Sequence, residues 1–144
     1  MIESDTIKLL RECDAGIKMG VQSIDEVREH VKNKEFKRLL EECRSSHLEL
    51  KEQIQTMLDR YQDEGKNPNM MASGMSWMKT NVMLSMEDSD KMVADLMTDG
   101  CTMGVKSLSR YLNQYEAAEE RAKDIAKKLI ALEAQLAADI REYL

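Results

Sequence analysis

Apolar residues step through most of this chain by threes and fours. Leu10, Cys13, Ile17, Gly20, Ile24, Val27 and Val31 form one such series, and Phe36, Leu40, Cys43, His47, Leu50, Ile54, Met57 and Tyr61 form a second. That spacing keeps one side of an α-helix on a core, so it predicts two long helices. Ser4 or Asp5 stands where the first would be capped, and Asn33 where the second would be, after a short turn. Gly65 is expected to end the second helix, and Gly65-Lys66-Asn67-Pro68-Asn69 is the one stretch of loop chemistry. A shorter amphipathic piece around Met71 to Met86, with Trp77 in it, reads as a crossover. Ser89 or Asp90 then caps a third helix carrying Val93, Leu96, Gly100, Met103, Ser107, Tyr111 and Tyr115, and Ala122, Ile125, Leu129, Leu132, Leu136, Ile140 and Tyr143 mark a fourth. The expected fold is all-α, a four-helix bundle in a single domain over residues 1–144. It consists of two helical hairpins, about 5–64 and about 90–144, joined by a crossover of about 65–89 that contains a short helix.

An internal match gives this topology a second basis. Gly16-x-x-Met19-Gly20-Val21-x-Ser23-Ile24 returns as Gly100-x-x-Met103-Gly104-Val105-x-Ser107-Leu108, a constant shift of 84 residues. At a shift of 86, Leu39, Leu50 and Ile54 fall on Ile125, Leu136 and Ile140, so the second helices of the halves correspond as well. The pattern reads as an internal duplication, with the hairpins related by an approximate two-fold axis and the first and third helices side by side. A glycine inside a helix costs about 1 kcal/mol relative to alanine. Gly16, Gly20, Gly100 and Gly104 are therefore expected to mark a place where the first and third helices cross closely, small residues four apart leaving a groove for a neighbouring backbone. A helix break at each glycine is the alternative.

Composition narrows the function classes. Among 144 residues, 27 acidic and 21 basic side chains leave a net charge of −6, and no block of Lys or Arg interrupts the mixture, which argues against a nucleic-acid or anionic-membrane surface. No apolar run reaches the length of a membrane span, and Met1-Ile2-Glu3-Ser4-Asp5 lacks the regions of a signal peptide, so a cytoplasmic protein is expected. Cys13, Cys43 and Cys101 are widely spaced and read as small core residues rather than as a disulfide framework or metal knuckle.

The paired hairpins, the long crossover and the matched segments in the first and third helices resemble the ferritin-like superfamily. Cys13-Asp14-Ala15-Gly16-Ile17, Ser76-Trp77-Met78 in the crossover and Glu87-Asp88-Ser89-Asp90 before the third helix are similar to one branch of it, small bacterial ferritin-like domains of unknown function. Metal-binding members of the superfamily carry a carboxylate on the first and third helices and Glu-x-x-His on the second and fourth, because two metal ions need several anionic ligands with imidazoles. The resemblance puts Lys18 and Thr102 at the single-carboxylate positions, Arg44-Ser45-Ser46-His47 in the second helix and Ile130-Ala131-Leu132-Glu133 in the fourth. Only His47 and Glu133 keep ligand chemistry, and cations at Lys18 and Arg44 would repel divalent ions.

His47 lies on an apolar seam and needs a partner there, since a buried imidazole without a hydrogen bond is costly. Glu133 is the partner the match suggests, and an interior polar network of Lys18, Arg44, His47 and Glu133 is expected, with a residual metal site on His47 and Glu133 as the competing reading. Met75-x-x-Met78 and Met83-x-x-Met86 have the spacing of soft-ion thioether ligands, and equally that of core or interface methionines. No Ser/His/Asp set, oriented Cys/His pair or phosphate-cradling glycine loop is present, and no residue stands out for general acid–base work. The expectation is a non-enzymatic helical module without cofactors that binds a protein partner or plays a structural role and self-associates as a homodimer. A metal-dependent protein, either a degenerate di-iron oxidase or a soft-metal binder, is the rival.

Overall fold

The computed structural model describes residues 2–67 and 89–144, and the expected crossover helix, Trp77 and the paired methionines at 75, 78, 83 and 86 lie outside them. Four long helices carry the described chain: α1 (Ile2–Val27), α2 (Lys34–Arg60), α3 (Asp90–Gln114) and α4 (Glu120–Asp139). Single 3-10 turns follow α1, over Arg28–His30, and α4, over Arg141–Tyr143, and no strand occurs among the described residues. The molecule is an all-α bundle. α1 packs on α2 and α3 on α4 as hairpins, while α1 against α3 and α2 against α4 join the two.

Asn33 caps α2 as expected, its side-chain oxygen accepting from the Phe36 amide at 3.0 Å, and Ser89 rather than Asp90 caps α3 by accepting from Met92 at 3.2 Å. The expected caps of α1 fail. The helix already runs from Ile2, leaving Ser4 and Asp5 inside its first turns, and Asp5 instead accepts from the Ala117 amide at 3.1 Å. Gly65 does not directly end α2 either. The helix stops at Arg60, and the chain then passes through left-handed conformations at Gln62 (φ 55°) and Gly65 (φ 86°).

Helix entries are also fastened across the hairpins. Asp90, at the start of α3, accepts from the Lys32 and Asn33 amides at 2.7 and 2.9 Å, just before α2. Thr6, near the start of α1, accepts from the Glu119 amide at 2.8 Å, just before α4. Thr6 and Asp90 are 84 residues apart and Asn33 and Glu119 are 86 apart, so the two contacts join matched positions in reciprocal order. Each satisfies a backbone donor that a helix start leaves open.

The core falls into two apolar clusters along the bundle axis. One includes Leu9, Leu10, Cys13, Ile17, Leu50, Ile54, Leu108 and Leu129. The other includes Ile24, Phe36, Leu40, Cys43, Val93, Cys101, Leu136 and Ile140. Tyr143 stacks on Phe36 with ring centroids 4.6 Å apart, closing the second cluster at its end. Every helix passes from one cluster to the other, and the residues at those four junctions are Gly20, His47, Gly104 and Glu133.

Candidate polar site at the bundle midpoint

His47 is buried because its seam position places it between Cys43 and Leu50 on the inner face of α2, and only 1% of it remains exposed. Both ring nitrogens are used. Nδ1 lies 2.8 Å from the backbone carbonyl of Cys43, which can only accept, so Nδ1 carries a proton and donates it. Nε2 lies 2.7 Å from Oε1 of Glu133, whose side chain is 12% exposed on α4. Burial opposes a charge on the ring, but hydrogen bonds to Cys43 and Glu133 outweigh it and hold the imidazole up at about 10. Near neutral pH the midpoint therefore contains an imidazolium–carboxylate pair.

Two thiols flank it. Cys43 Sγ sits 3.5 Å from His47 Nδ1, and Cys101 of α3 lies beside Glu133. Burial, followed by the charge of that carboxylate, pushes the Cys101 thiol far up, and burial likewise raises Cys13 to about 12. Cys101 and Cys13 are thus protonated, unreactive sulfurs.

The glycines explain how a charged pair fits here. A Cβ placed on Gly20 would come within 2.9 Å of His47 Nε2, and one on Gly104 within 3.3 Å of Glu133 Oε2. The other two differ. A Cβ on Gly16 would make ordinary contacts with Leu108 and Leu129 at 3.7 and 3.8 Å, and one on Gly100 would meet nothing within 4 Å. The close crossing of helix backbones expected at Gly16, Gly20, Gly100 and Gly104 is thus corrected: α1 and α3 are neighbours, but Gly20 and Gly104 make room for side chains from α2 and α4.

The interior network is also smaller than expected. His47 and Glu133 meet, whereas Lys18 and Arg44 point elsewhere. Lys18 binds Asp14 one turn earlier, with Nζ 2.7 Å from Oδ2, and reaches the Lys66 carbonyl and the Asn67 amide oxygen at 3.4 Å each. Arg44 pairs with Asp25 on α1 at 2.8 Å, near the surface. Both lysine and arginine stems lie on the flanks of their helices, where their charges remain hydrated. Cys43 and Cys101 were read only as core residues, although the four-residue step from Cys43 to His47 already placed the thiol on the imidazole's own face.

Among the described residues, no group of three or more His, Cys, Asp or Glu side chains is placed to hold a metal ion, and no helix is long and apolar enough to cross a membrane. Comparison with protein families, with curated proteins and with solved structures finds no match.

Proposed function

We propose that this chain is a ferritin-like bundle whose midpoint is closed by a proton-sharing side-chain pair in place of a dimetal centre, and that it serves as a non-enzymatic binding or structural module. One observation carries the reading: His47 Nε2 and Glu133 Oε1 bond to each other at 2.7 Å, and His47 Nδ1 is taken by the Cys43 carbonyl. The positions that face them from α1 and α3 are Gly20 and Gly104, which have no side chain to offer. The carboxylate positions of the metal-binding relatives then correspond to these glycines rather than to Lys18 and Thr102. With Arg44 and Ile130 at the remaining positions, the donor set does not fit two metal ions. The reciprocal contacts Asn33–Asp90 and Glu119–Thr6 favour an origin by duplication of one hairpin. A cytoplasmic setting and self-association as a homodimer belong to the same proposal.

Metal analysis of protein purified without chelators tests it. The module reading expects no stoichiometric iron, manganese or copper and a melting temperature unmoved by added iron(II). Stoichiometric metal that is lost in His47→Ala would replace this reading with that of a metal-dependent protein.

A further inference from the structure

Halfway along α1, six residues before Gly20, lies a buried charge that the midpoint site does not use. Asp14 on α1 is 1% exposed. Its Oδ2 accepts from Lys18 Nζ at 2.7 Å and from the Lys66 amide at 3.0 Å, while its Oδ1 has no partner among the described residues. A buried acceptor left unpaired loses its hydration without compensation. The segment 62–67 lies over Asp14. Gly65 lies directly on the carboxylate, so that a Cβ there would collide with Oδ2, and it also covers Leu58.

That segment is held down by contacts that water can replace. Lys66 Nζ pairs with Glu12, and Asp63 pairs with Arg11 at 3.2 Å, through a lysine and an arginine that are about half exposed. Pairs of this kind contribute little to stability and are screened by salt. Against them stand the half-satisfied carboxylate and the left-handed backbone of Gln62, a conformation that disfavours side-chain-bearing residues. Opening of residues 62–67 would rehydrate Asp14 and relax Gln62, while Tyr61 and Leu58 stay packed in the first core cluster.

We propose that residues 62–67 are a strap over Asp14, poised to open independently of the bundle and to expose Asp14. The matched position in α3, Thr98, shows the contrast: its hydroxyl is also buried without a partner among the described residues, but it carries no charge to be rehydrated.

Amide hydrogen exchange on the full chain tests the strap. Asp63, Gly65 and Lys66 are the reporters, since their amides are bonded to Leu58 O, Asp63 Oδ1 and Asp14 Oδ2 respectively. They are expected to exchange through a local opening that denaturant barely affects, and to exchange severalfold faster when salt rises from about 0.05 to 1 M. Amides around His47 and Glu133 should not follow. Gly65→Ala should abolish protection at these three positions alone. Exchange of the reporters only together with the core, or protection that is indifferent to salt in the unaltered chain, would overturn the proposal.

Discussion

The two copies of the Gly-x-x-Met-Gly-Val-x-Ser segment sit in neighbouring helices yet meet different surroundings. Gly20 and Gly104 both face the polar pair, one against the imidazole and the other against the carboxylate. Four residues earlier the halves part. Gly16 is covered by Leu108 and Leu129, whereas Gly100 faces open space. Two residues before those glycines, Asp14 is tied to Lys18, while its counterpart Thr98 only lends its backbone carbonyl to the Thr102 hydroxyl at 2.9 Å. The difference separates what the midpoint demands, which both halves satisfy with glycine, from what each half does alone.

The largest effect should come from splitting the pair that both copies serve. His47→Leu or Glu133→Leu leaves one buried charge without its partner and should cost about 3–5 kcal/mol in denaturant unfolding. The double variant should be more stable than either single one, because an apolar pair needs no compensation. Equal and additive losses would show that the two residues do not act together.

The same pair fixes a pH dependence. The folded ring's value, about 10, lies above the unfolded value near 6.5, so the stabilisation is complete below about 6.5 and is lost as pH rises through 10. Melting temperatures between pH 6 and 10 should fall, and His47→Leu should flatten that slope.

Gly20→Ala drives a methyl against a ring held at both nitrogens, and about 1–3 kcal/mol should be lost. Gly100→Ala should do the reverse, gaining about 0.5–1 kcal/mol from helix propensity in open space. Like signs for these two substitutions would dissolve the distinction between the copies. Between these in size, Asp90→Ala and Thr6→Ala should each lose about 1 kcal/mol by freeing a helix-entry amide in the opposite hairpin.

Much of the fold could be read from the apolar stepping, because long helices leave a 3.6-residue period that survives without knowledge of what each face touches. Asn33 and Ser89 were likewise legible as caps, their function being local. Asp5 was not, since its acceptor role depends on Ala117, 112 residues away. The meeting of His47 with Glu133 followed from the match between the halves. The purpose of the glycines did not. Spacing indicates that a position must be small, but whether a backbone or a side chain fills the gap is decided by the partner helices. Lys18 and Arg44 were misplaced for a related reason: a position beside the seam admits a long side chain that turns outward, and the period alone does not distinguish the two directions.

Nitrogen-15 chemical shifts of the His47 ring, followed through a pH titration, test the central claim most directly. A closed midpoint predicts that both ring nitrogens stay protonated from neutral pH until about 10, with one proton shared towards Glu133. A ring that is neutral at pH 7 with a free Nε2 lone pair would contradict it, and would mean that the space beside Gly20 and Gly104 is open to something other than this pair.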